Sequence, residues 1–197
     1  IRGVSNEVGR LLRPVVFING KLWVLRRYSA ELANCRFGGA LPALEGMSEG
    51  ACLHALLTIN ATALQDGIND LIPLLFPFRH VGGRAVYSYK NASKVEIIEI
   101  FPETASNNYP YADYPDAFDI KDYILDGPAT LSVENFASLI PKGIDKKLEG
   151  RMVVLIPPHE EYGVSLWGNE GANDSNLCVF YVDTDSKEIR CEAQAFE

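Results

Sequence analysis

Apolar residues gather along this chain in short runs, most of them the length of a β-strand. Val15-Val16-Phe17-Ile18 and Lys21-Leu22-Trp23-Val24-Leu25 flank Asn19-Gly20. A type I′ turn needs positive φ at both central residues, which Asn and Gly tolerate, so this segment predicts a hairpin. Arg84 to Tyr89 and Val95 to Phe101 predict a second hairpin, turning at Asn91-Ala92-Ser93. Glu96 and Glu99 interrupt its second run and give that strand one partly wet face. Arg151 to Ile156 reads as a buried strand ended by Pro157-Pro158, and Cys178 to Asp183 with Glu188 to Ala193 as a final hairpin across Thr184-Asp185-Ser186. Leu53 to Ile59 fits a buried strand or a short helix, which periodicity alone does not separate.

Helical signals are few. Val4 to Leu12 predicts a short helix stopped by Pro14, and Val133 to Ile140 another with Ser132 as its N-cap. Residues 102–128 carry Pro102, Pro110, Pro115 and Pro128 among Asn, Asp and Tyr and predict a long connection; Gly168 to Asn176 predicts a turn-rich loop. Antiparallel hairpins with a few short helices make an α+β fold the expectation. With 197 residues and no linker, low-complexity tract or short-period repeat, the chain reads as a single globular domain over 1–197. Its 47% apolar content suffices for a sizeable core. No apolar stretch approaches the ~18 residues that span a bilayer, so no membrane span is expected.

Charge narrows the choice of partners. A net charge of −8 argues against nucleic acid, because phosphate binding needs a basic face. Residues 1–36 hold seven basic residues against Glu7 and Glu31, while the remainder carries −13, so the basic segment is expected to pack beside the acidic body. Cys35, Cys52, Cys178 and Cys191 are too few and too scattered for a disulfide framework, and they predict reduced thiols in a cytoplasmic protein. The Asn-x-Ser/Thr sites at Asn60, Asn91 and Asn173 do not by themselves imply secretion, and a start at Ile1 leaves a cleaved leader open.

Motifs for chemistry are weak. Cys35, Cys52 and His54 lack the paired Cys-x₂₋₄-Cys spacing of a zinc site, so buried thiols are expected and no metal or cofactor. Cys178 and Cys191 flank one hairpin and are expected to be two core thiols. Ser165 lacks the second glycine of a nucleophile elbow, and His159-Glu160-Glu161 lacks the second histidine of a zinc protease helix. Gly38-Gly39 and Gly82-Gly83 fit no phosphate-binding fingerprint and read as tight turns.

The most distinctive segment runs from Tyr109 to Tyr123. Asp113, Asp116, Asp119 and Asp122 recur every three residues among aromatics; if the latter half is helical, Asp116, Asp119 and Asp122 share a broad face. Such carboxylates suit a basic partner, and tyrosines make good interface anchors. Against that, the aromatics pack on the body and the aspartates simply solvate a surface.

Arg36-Phe37-Gly38-Gly39 with Pro42, then Leu56-Leu57-Thr58-Ile59-Asn60, then Gly83 with Val86 to Tyr89 follow one another in an order that resembles the YwqG-like family of bacterial domains. Trp167-Gly168-Asn169-Glu170-Gly171 and Cys191-Glu192-Ala193-Gln194 complete the series. Thr58 stands where the family has Gln, Asn169 where it has Asp, and Leu41 adds a residue before Pro42. The resemblance implies an α+β fold with an internal duplication, a bacterial cytoplasmic origin and no established enzymatic activity; members are sometimes proposed as immunity proteins.

Two functions follow as expectations. One is a macromolecular binding or protection protein, an immunity-type inhibitor of a basic protein, using Tyr111, Asp113, Tyr114, Asp116 and Asp119. The other is a small-molecule-binding domain or cryptic enzyme, whose pocket lies between the Gly38-Gly39 and Trp167-Gly168 loops and is lined by Arg36, Trp167, Asn169 and Glu170.

Overall fold

A computed structural model describes residues 13–64, 67–80, 82–106, 116–130, 152–157 and 176–195. Within them lie twelve strands: β1 (Val15–Ile18), β2 (Lys21–Arg27), β3 (Cys35–Phe37), β4 (Ala43–Glu45), β5 (His54–Asn60), β6 (Leu71–Phe76), β7 (Arg84–Asn91), β8 (Lys94–Phe101), β9 (Lys121–Thr130), β10 (Met152–Ile156), β11 (Asn176–Asp183) and β12 (Glu188–Ala195). They form one sheet in the order β4-β8-β7-β12-β11-β10-β1-β2-β9-β3-β5-β6. All neighbours are antiparallel except β4 and β8, which run parallel.

This architecture overturns the α+β expectation. Among the described residues the helical content is a single four-residue 3-10 turn, Ala61–Leu64, and the rest is sheet and connection. The ambiguous run at Leu53 to Ile59 is a strand, because β3 and β6 offer it a hydrogen-bonding partner on either edge. The helices predicted at Val4 to Leu12 and Val133 to Ile140 lie outside the described residues. No helix among the described residues is long and apolar enough to cross a membrane.

All three predicted hairpins form. Asn19 and Gly20 have φ of 50° and 73°, as a type I′ turn requires. The central strands β1, β2, β10 and β11 read as continuous apolar runs because both their faces are buried. Val16, Trp23, Val154 and Phe180 pack into the main core, while Val15, Leu22, Val24, Leu155 and Val179, on the opposite face, are buried too. In β8 the three-residue spacing of Glu96 and Glu99 would put them on opposite faces of a regular strand. An extra residue, Ile98, opposes the Val86–Tyr87 step of β7, and this bulge turns both glutamates outward while Ile97 and Ile100 point inward.

The predicted long connection over 102–128 is shorter than expected, since its last part is strand β9. Gly127 and Pro128 read as loop residues but form a bulge opposite Trp23: Leu22 pairs with Ala129 and Val24 with Asp126. A Cβ at Gly127 would lie 2.8 Å from the Leu22 carbonyl oxygen.

The sheet curls so that its last strand, β6, meets β7 and β12 from the other half. β6 carries Pro73, which suits an edge that has one hydrogen-bonding side to spare. That side docks on Tyr87, fully buried, whose hydroxyl accepts from Leu75 N–H at 2.7 Å. The same hydroxyl directs its proton at the carbonyls of Leu75 (3.2 Å) and Pro73 (3.3 Å). Replacing Tyr87 with Phe leaves buried backbone groups unpaired, so it should cost about 2–3 kcal/mol in urea unfolding. A loss below about 0.5 kcal/mol would mean that the hydroxyl does not secure the edge.

Candidate functional site

Gly38 and Gly39 follow β3 with φ of 74° and 93°, positive values that glycine accepts without strain. The turn also cradles another segment: Gly38 N–H donates to Leu56 C=O at 3.0 Å, and Gly39 N–H donates to Phe118 C=O at 2.9 Å. A Cβ on Gly38 would lie 2.5 Å from the Asp119 carbonyl oxygen and 2.7 Å from that of Phe118. The space beside Gly38 is therefore filled by the chain's own acidic segment.

Phe118 holds that segment. Its ring is buried, stacked on Phe37 (centroids 5.7 Å) and His54 (5.3 Å) and edge-on to Phe78 (5.5 Å). On either side Asp116, Asp119 and Ile120 are exposed, Ile120 to 59%. The helical face expected for Asp116, Asp119 and Asp122 does not form. Residues 116–120 are irregular, and Asp122 lies in β9 directly opposite Arg36 of β3. Arg36 itself is exposed. Arg26 Nε binds Asp126 Oδ2 at 2.7 Å. Tyr111, Asp113, Tyr114, Trp167, Asn169 and Glu170 lie outside the described residues.

His80, buried and not singled out by any sequence motif, ties three loops together. Its Nδ1 lies 2.7 Å from the Pro102 carbonyl and its Nε2 accepts from Cys52 N–H at 3.1 Å. These partners occupy both ring nitrogens, so His80 crosslinks the loops that carry Cys52 and Pro102. Cys52 beside it is half-buried. Burial pushes its thiol pKa up and the nearby Asp116 carboxylate adds to this, while the Arg79 guanidinium opposes them through charge and a hydrogen bond.

The thiols are spread out. Cys35 pairs with Ile59, at the far end of β5 from His54, so Cys35, Cys52 and His54 do not converge. No cluster of three His, Cys, Asp or Glu able to hold a metal occurs among the described residues. Cys191 opposes Phe180 and Cys178 opposes Ala193, and all four cysteines are free. Burial raises the pKa of Cys35 to about 12 and those of Cys178 and Cys191 well above the usual thiol range. A thiol reagent near neutral pH should therefore modify Cys52 first, with the other three reacting at the rate of global opening. Two or more rapidly reacting thiols in the native protein would contradict this packing.

Comparison with models of known families, with curated proteins and with solved structures gave no match.

Proposed function

We propose that this chain is a cytoplasmic binding protein for a basic protein partner, acting in the manner of an immunity-type inhibitor. The observation that carries the reading is the mounting of the acidic segment. Phe118 and the Gly38-Gly39 turn fix the backbone, and Asp116 and Asp119 stand exposed on either side of the plug. Carboxylates held in place before binding lose little entropy on meeting a cation. The net charge of −8 steers a basic protein toward the surface and disfavours nucleic acid. Tyr111, Asp113 and Tyr114 belong to the same run and would extend the contact. The YwqG-like motif series supports a binding role on the strength of what is proposed for that family. Reduced thiols suit a cytoplasmic setting.

The test is affinity purification from the native organism at low salt, followed by titration of the basic protein recovered. Reversing Asp116 and Asp119 to Lys should weaken that complex by about tenfold or more and lower the salt dependence of its association rate. Unchanged affinity in the double variant would exclude this segment as the contact.

A further inference from the structure

Strand β8 holds two of the large apolar side chains that stand in solvent, Ile98 at 57% exposure and Phe101 at 51%. Single exposed apolar residues are ordinary on any protein surface. Here a specific device is responsible. Ile98 is the extra residue of the β-bulge opposite Val86 and Tyr87, so it is pushed outward while its neighbours Ile97 and Ile100 enter the core. Bulges re-aim side chains, and this one turns an isoleucine toward water. Phe101 is held from one side, with the Arg84 guanidinium 4.7 Å from its ring centroid.

The ridge is flanked by acid. Glu96 and Glu99 point outward on the same strand, and exposed Glu103 follows it. Arg84, the nearest cation on β7, is engaged with Phe101 and lies 3.9 Å from Glu99. The ridge also runs into the loop end: Phe101 is followed by Pro102, whose carbonyl binds His80, and Ser106 N–H donates to the carbonyl of Arg79.

We infer that the bulged ridge Ile98–Phe101 is the apolar anchor of the docking surface, receiving apolar side chains that the basic partner carries between its lysines or arginines. The inference rests on the proposed binding of a basic protein and names what that partner presents besides charge. The carboxylates speed encounter and set its salt dependence, whereas Ile98 and Phe101 slow dissociation by giving up water.

Two synthetic probes separate these contributions. One is a short peptide of alternating Lys and Ser, and the other is the same peptide with two Ser replaced by Leu. Titrated at low salt against the whole protein, the Leu peptide should bind about tenfold tighter, the gain expected from covering two apolar side chains. The Ile98→Ser/Phe101→Ser variant should lose that advantage and still bind the Lys-Ser peptide like the parent. Both positions are exposed, so its melting temperature should stay within a few degrees of the parent's. Equal affinity of the two peptides for the parent, or an advantage that survives in the variant, overturns the apolar anchor and leaves the basic-partner reading standing. Absence of salt-dependent binding by either peptide overturns both.

Discussion

Raising the pH from about 8 to about 10.5 should cost this protein about 6 kcal/mol of stability, most of the margin of an ordinary domain. The cause is three thiols in the core. Cys35, Cys178 and Cys191 are buried, and burial penalises the thiolate, so each holds its proton in the folded state well above the usual thiol value of 9.0. In the unfolded chain they ionise near that value. Because the folded pKa is the higher one, the stabilisation is complete below the unfolded pKa and is lost as pH rises toward the folded one. For Cys35 the window runs from 9.0 to about 12. Each thiol contributes a slope of about 1.4 kcal/mol per pH unit there, and three together about 4. Above the usual phenol value of 10.0, Tyr87 and Tyr89 add to the loss, since burial raises both. Urea unfolding in reductant at several pH values measures the slope. A Cys191→Ala variant should show about one third less of it, whereas stability that stays flat to pH 10.5 would mean that these thiols are wet.

Gly38→Val should be the most damaging single change at the candidate site, at about 3–5 kcal/mol. Two effects combine. Valine is strained at φ +74°, and its Cβ would lie 2.5 Å from one backbone oxygen and 2.7 Å from another. Neither oxygen belongs to a flexible side chain, so the Phe118–Asp119 backbone has to leave. Phe118 then withdraws from Phe37, His54 and Phe78, and its burial is lost as well. Gly82→Val is the control: its φ is +61°, but nothing lies within 4 Å of the added atom. It should cost only the backbone strain, about 1–2 kcal/mol. Hydrogen exchange at the Gly39 amide, which donates to Phe118, should accelerate in Gly38→Val and stay slow in Gly82→Val. Equal losses in the two variants would show that the cradle contributes nothing beyond strain.

Local chemistry was enough for the hairpins. Asn19-Gly20 specifies its turn because few residue pairs accept two positive φ values, and an apolar run in β11 and an alternating one in β12 flank a polar turn. Buried thiols were expected from the sequence, and Cys35, Cys178 and Cys191 are buried, but Cys52 is only half-buried. The strands that were missed owe their state to partners distant in sequence. Leu71–Phe76 contains Pro73, and Lys121–Thr130 contains Gly127-Pro128; both signals ordinarily mark loops. Each is a strand because the residue that fits no regular ladder faces a free edge or a bulge. The three-residue spacing of aspartates suggested a helix face, but the Gly38-Gly39 turn and the aromatic pocket capture Phe118 and extend the chain into β9. His80 had no motif at all, since a crosslinking histidine is defined by the groups its two nitrogens reach. The sequence alone determined the local turns, the apolar runs and the balance of charge, because these depend on residues within a few positions of one another. Which edge each strand found, and which carboxylates were left facing water, was decided only by the closing of the sheet, where contacts far apart in the chain outweigh local preference.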